Sequence, residues 1–231
     1  MKKLLVALLV IILGVGGGIG LFALSVYLGT DITQSDNNNA VNKNDDDDEK
    51  VNGTNMGTDY KPNRNVTNYI FVGDSRYVAM ENLATDTDTF ICKEGEGLSF
   101  LQSHIYDIKS NIVDKDTVII IGMGVNDYKY SFDDYVSTIN QLDEEIDCQL
   151  CYMLVNPVDD EKIQNSGYQI TNEELDEFNN NMKLALNSDI MIIDTNSYLK
   201  ENGYNTVDGL HYDEVTYENI YWYIKSYVNN N

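Results

Sequence analysis

Histidine is scarce in this chain. His104 and His211 are the only two in 231 residues, which excludes a multi-histidine zinc site. Cysteine is nearly as rare, and Cys92, Cys148 and Cys151 are too few for a disulfide framework. Cys148 and Cys151 lie three apart in an apolar run that reads as a strand. They therefore face opposite sides, which argues against a disulfide or a shared metal and for buried free thiols. Basic residues number 15 against 38 acidic ones, for a formal net charge of −23. Phosphate binding needs clustered Lys and Arg, so nucleic acid and anionic lipid are excluded as partners, and neutral or cationic substrates are favoured.

Two N-terminal stretches cannot belong to a globular core. Lys2 and Lys3 precede an uncharged apolar run from Leu4 to Leu28, when roughly 20 residues suffice to span a bilayer. A retained single-pass anchor over 1–28 is the expectation. The competing reading is a cleaved signal peptide ending near Ala23-Leu24-Ser25. Either way the flanking lysines keep the start inside and put the rest of the chain outside the cytoplasm. Gly14/Gly18 and Gly16/Gly20 have the spacing that lets membrane helices pair, so a dimer through this segment is an open alternative. Residues 29–65 are rich in Asn, Asp and Thr and lack large apolar side chains, which predicts a disordered tether. The run Asp45 to Asp48 lacks the spaced ligands and the glycine of a calcium loop.

From residue 66 to 231 the pattern changes to short apolar runs alternating with helical periodicity. Tyr69–Val72, Thr89–Lys93, Thr117–Ile121, Gln149–Val155 and Ile190–Ile193 read as strands. Leu98, Leu101, Ile105, Ile108 and Ile112 recur at helical spacing, with His104 on the flank of that face as a packing residue. Ser131 with Asp134, and Thr171 with Glu174, are positioned to cap the helices that follow, and a last helix runs from about Asp213 to Val228. Alternating strands and helices imply parallel crossovers in a three-layer α/β/α sandwich.

Three strand-end segments carry complementary polar groups. Gly73-Asp74-Ser75 puts a hydroxyl just past the first strand and at the start of a helix, where developing negative charge is favoured. Gly124-Val125-Asn126-Asp127 supplies an amide after the third strand, and Asp208-Gly209-Leu210-His211 places a carboxylate three residues before a histidine. Acyl transfer needs that set: a nucleophile, a base, a carboxylate to orient the base, and donors for the oxyanion. No Gly-x-Ser-x-Gly elbow is present, which argues against the α/β-hydrolase fold.

In order and spacing these blocks resemble the SGNH/GDSL hydrolase superfamily, with Gly97 in Glu94-Gly95-Glu96-Gly97-Leu98-Ser99 as the second block. The resemblance implies a five-stranded parallel, flavodoxin-like sheet and a serine esterase without metal or organic cofactor. It implies Ser75 as nucleophile, His211 as general base and then acid, and Asp208 as its orienting carboxylate. The Ser75 and Gly97 N–H groups and the Asn126 amide would form the oxyanion hole. Gly97 is preferred because a hydroxyl residue follows two places on, and Gly95 is the alternative. Arg76 replaces the leucine usual in that family. Its guanidinium is expected either to read the substrate or to pair with a nearby acid such as Asp74.

The expectation is thus an extracytoplasmic, membrane-anchored esterase that deacetylates cell-surface glycans. An O-acetyltransferase using the same triad and a non-catalytic glycan-binding module are the alternatives. Tyr128, Tyr130, Tyr212, Tyr217, Tyr221 and Tyr223 either pave a sugar cleft or belong to the core.

Overall fold

The computed structural model describes residues 63–231. The expected anchor at 1–28 and the expected tether up to residue 62 lie outside the described residues. Among the described residues no helix is long and apolar enough to cross a membrane.

Five strands form one sheet: β1 (Asn68–Gly73), β2 (Asp88–Cys92), β3 (Thr117–Gly122), β4 (Gln149–Met153) and β5 (Met191–Ile193). Their order is β2-β1-β3-β4-β5 and every pairing is parallel, the flavodoxin-like arrangement expected from the motifs. β3 reads Thr-Val-Ile-Ile-Ile-Gly because it is central and covered on both faces, and all six residues are buried. Truncating Ile120, fully buried there, is expected to cost about 2–5 kcal/mol.

Side-chain alternation along the strands divides the core in two. Ile70, Val72, Ile119 and Ile121 point to a largely aliphatic layer. It is closed by α2 (Leu98–Ser103), α3 (Ile105–Ser110), α4 (Phe132–Glu144), α5 (Asp160–Ser166) and α6 (Asn172–Ala185). Tyr69, Phe71, Val118 and Ile120 point to the other layer, rich in aromatics, closed by α1 (Ser75–Met80), α7 (Thr195–Asn202) and α8 (Glu214–Asn230). Cys148 packs on the first layer and Cys151 lies in the second, and all three cysteines are free thiols. Burial pushes the Cys148 and Cys151 thiols up to about 11 and about 12.

Local signals were met unevenly. Thr171 and Glu174 form the full capping box of α6, with Thr171 accepting from the Glu174 N–H and Glu174 reaching back. Ser131 stands at the N-cap of α4 but makes no side-chain capping bond there. The helical stripe from Leu98 to Ile112 is two helices, because the backbone at His104 leaves helical geometry (φ −106°, ψ 8°). His104 stacks on Phe100 with ring centroids 4.0 Å apart, and its Nδ1 lies 2.9 Å from the Phe100 carbonyl. Of the six tyrosines, Tyr128, Tyr212, Tyr217 and Tyr221 are buried, whereas Tyr130 is 90% exposed.

The two ends of the described chain meet. Arg64 N–H donates to the Asn229 carbonyl at 3.2 Å and the Asn63 amide to the Asn230 carbonyl at 2.6 Å. The folded part therefore takes in residues that composition alone assigned to the tether. At the amino end of β2, Lys225 of α8 donates to both Asp88 oxygens, at 2.8 and 2.9 Å, and Tyr221 donates to the same carboxylate. The Asp88 side chain is fully enclosed and that of Lys225 is 10% exposed. Burial pushes the Asp88 carboxyl up, but Lys225, the Thr85 N–H and the Tyr221 hydroxyl together hold it below its ordinary value.

Candidate active site

The site lies outside the carboxyl ends of β1 and β3. β1 ends at Gly73, whose added Cβ would sit 2.2 Å from the Tyr77 ring, so only glycine lets α1 turn back so closely. Asp74 caps α1 by accepting the Arg76 N–H at 3.0 Å. Ser75 is thereby the first helical residue, partly exposed.

The segment after α7 carries the histidine in a closed turn. Thr206 and Tyr212 form an antiparallel bridge, and Val207 N–H donates to the His211 carbonyl at 2.7 Å. Inside the turn Asp208 Oδ1 accepts the N–H groups of Leu210 (2.9 Å) and His211 (2.7 Å). Gly209 must be glycine here: its φ is +96°, and a Cβ would meet the Ile163 backbone nitrogen at 2.5 Å.

These two segments join in a hydrogen-bonded relay. Ser75 Oγ lies 2.9 Å from His211 Nε2, and His211 Nδ1 lies 2.8 Å from Asp208 Oδ2. With the carboxylate accepting from Nδ1–H, Nε2 is left as the acceptor that faces the serine hydroxyl. Burial pushes the Asp208 carboxyl up, but the backbone and ring N–H groups of His211 and the Leu210 N–H outweigh it. Asp208 is held below the ordinary carboxylate value and stays ionised at neutral pH.

The amide-bearing loop docks beside this relay. Asn126 Nδ2 donates to the Glu96 carbonyl at 2.7 Å and lies 3.5 Å from Asp74 Oδ2. Asp127 accepts the Leu98 N–H at 2.8 Å and the Tyr135 hydroxyl at 2.7 Å. Its carboxylate leaves no room for a side chain at Gly97, where a Cβ would lie 2.3 Å from Oδ2. Gly95 has open space around it and φ +71°. The structure thus brings Gly97, Asn126 and Asp127 into one interlocked pair of loops, with Gly95 at the outer turn.

Arg76 turns inward, as in the second expectation, and its charge acts on the Asp74 carboxyl. It is 4% exposed, its NH1 donates to the Asn156 carbonyl at 3.1 Å, and its guanidinium lies 5.4 Å from the centre of the Tyr212 ring. It is turned into the protein rather than into the crevice. Asp74, also buried, has its carboxyl pushed up by burial, against the pull of the Arg76 charge and N–H.

Sequence reading missed the support for the histidine turn. Lys162 of α5 donates to the Thr206 carbonyl, Asp159 N–H donates to the Gly209 carbonyl at 2.9 Å, and Tyr204 donates to the Val158 carbonyl at 2.9 Å. Tyr212 also donates to the Pro157 carbonyl. The Asn156-Pro157 break after β4 was the available signal, because a chain halted there has to be fastened to something.

No known family profile and no curated protein matches the sequence. Solved structures do match in fold. A member of the lipolytic protein G-D-S-L family from Veillonella parvula is 17% identical, with a TM-score of 0.53 over 68% of this chain and 96% of that one. A GDSL-like lipase from Bacteroides thetaiotaomicron is 15% identical, with a TM-score of 0.56 over 70% and 87%. The acetyl xylan esterase AlAXEase is 18% identical, with a TM-score of 0.51 over 70% and 99%. The chain therefore has the fold of GDSL-type lipolytic hydrolases.

Proposed function

We propose that this protein is a serine ester hydrolase of the SGNH/GDSL type. The observation that carries the reading is the continuous relay Ser75 Oγ, His211 Nε2, His211 Nδ1, Asp208 Oδ2 at 2.9 and 2.8 Å. Ser75 Oγ attacks the ester carbonyl as its proton passes to His211 Nε2, and the imidazolium is stabilised by the Asp208 carboxylate. The carbonyl oxygen becomes an oxyanion, to which the Ser75 and Gly97 N–H groups and the Asn126 amide are assigned as donors. When the carbon–oxygen bond to the alcohol breaks, His211 returns the proton to the leaving oxygen. Water then attacks the acyl-serine with His211 as base, releasing the carboxylic acid and restoring the serine hydroxyl.

The substrate reading is removal of acetyl groups from cell-surface glycans, outside the cytoplasm. It is supported by the Lys2/Lys3 flank of the apolar run, by the acidic composition that disfavours anionic polymers, and by the fold shared with an acetyl xylan esterase. A serine-directed phosphonate should label the purified protein at Ser75, and acetylated wall polymers should release acetate. Absence of labelling and of acetate release would reject the esterase, while transfer of acetate to an added sugar would reassign it as an acetyltransferase. Protease added to intact protoplasts should cut within 45–60, and protection until lysis would reject the extracytoplasmic placement.

A further inference from the structure

A groove of about 420 Å³ is lined by Ala79, Asn82, Leu83, Tyr212, Glu214 and Tyr217, within the size range of small-ligand sites. Its two walls follow the relay residues in the chain: Ala79 stands one helical turn beyond Ser75, and Tyr212 directly follows His211. Ser75, Ala79, Asn82 and Leu83 follow the spacing i, i+4, i+7, i+8 along α1 and the 3-10 turn Glu81–Leu83 that continues it, so they form one stripe. The opposite wall is the residue after His211, Tyr212, together with Glu214 and Tyr217 on the first turn of α8.

We infer that this groove holds the alcohol part of the ester, a neutral pyranose ring; the inference rests on the hydrolase reading above. The first reason is direction. The assigned oxyanion donors Gly97 and Asn126 come from loops that lead to the aliphatic layer, whereas α1, Tyr212 and α8 belong to the aromatic layer. An ester whose carbonyl oxygen faces Asn126 turns its leaving oxygen toward His211, which must protonate it, and the residue after His211, Tyr212, is a wall of the groove. The second reason is chemistry. No Lys or Arg lines the groove, which disfavours phosphate- or carboxylate-bearing alcohols. Asn82 and Glu214 are exposed at its rim and suit hydroxyl groups, while Ala79, Leu83 and the tyrosine rings suit the C–H face of a sugar.

The test separates this inference from the hydrolase reading by using binding alone. Ser75→Ala protein is titrated with methyl β-D-glucopyranoside while backbone NMR signals are followed. Shifts should concentrate at Ala79, Asn82, Leu83, Tyr212 and Glu214, and Ala79→Trp, which fills the groove, should weaken binding at least tenfold. Shifts elsewhere, or binding that survives Ala79→Trp, would overturn the groove assignment even if wild-type protein hydrolyses esters. Binding at the groove in a protein that cleaves no ester would keep the sugar site and reject the hydrolase.

Discussion

At the amino ends of the strands the polar side chains are largely matched to one another, although Arg64 Nη1 is buried without a hydrogen-bond partner among the described residues. Asp88 is held by Lys225 and Tyr221, Thr117 donates to Asn68 Oδ1 at 2.7 Å, and Arg64 donates to Gln149 at 2.9 Å. At the carboxyl ends Ser75, His211 and Asp208 are lined up in series, with a partly exposed hydroxyl at the head of the line. The amino end even has the larger hollow, about 680 Å³, lined by Arg64, Asp116, Asp143, Asp147, Cys148 and Gln149. It holds no comparable relay, and burial pushes its one thiol, Cys148, up to about 11, far from a reactive thiolate at neutral pH. Polar groups that satisfy each other hold a fold together. A polar chain that ends on an exposed nucleophile is prepared for a partner from outside, and room alone does not distinguish the two.

Substitutions at the two ends should therefore separate activity from stability. The largest effect is expected for Ser75→Ala or His211→Ala, each lowering kcat by about 10⁴-fold or more with the melting temperature held. Esterase kinetics and thermal melts on the same samples check this, and a Ser75→Ala enzyme with full activity would erase the contrast. Asp88→Asn should do the reverse, destabilising the fold by about 3–5 kcal/mol because it leaves the enclosed Lys225 charge unpaired. Urea unfolding measures that loss, while kcat at a temperature well below the melt should stay near wild type. Asn126→Ala should lower kcat by about 10²–10³, the cost of one oxyanion donor, with little change in KM.

Acid provides a graded version of the same contrast. Asp88 in the folded protein titrates below its ordinary value of 3.8. Its stabilising contribution is therefore complete above that value and is lost as pH falls through the lower, folded one. Asp208 behaves in the same direction, so neither group should affect stability or rate between pH 5 and 8. Stability that fell on acidification within that window would point to other groups. A smaller effect is expected for Thr117→Val, about 1–3 kcal/mol, because its hydroxyl donates to Asn68 and accepts from the Val113 and Asp114 N–H groups, with no kinetic consequence.

The strands were legible because a buried parallel strand has to be apolar throughout, as in Val118 to Ile121. The relay was legible because its members sit in short local turns: Ser75 opens a helix capped by the adjacent Asp74, and Asp208 binds the N–H groups two and three residues on. What was not legible depends on distant neighbours. Arg76 is buried by a carbonyl at Asn156 and a ring at Tyr212, 80 and 136 positions away. α5 buries one apolar residue, Ile163, and α7 is mostly polar, so neither carries a stripe for periodicity to detect. The break at His104 was hidden because the apolar spacing continues through it.

The contact of Asn63 and Arg64 with Asn229 and Asn230 has a consequence for how the chain can be rewired. Because the start and finish of the folded part are already hydrogen-bonded neighbours, a linker of a few residues suffices to join them. The chain can then be reopened between Ser188 and Asp189, both exposed and at the amino end of the sheet, away from Ser75. In such a circular permutant β5 and the base are synthesised before the nucleophile instead of after it, and the relay should still assemble.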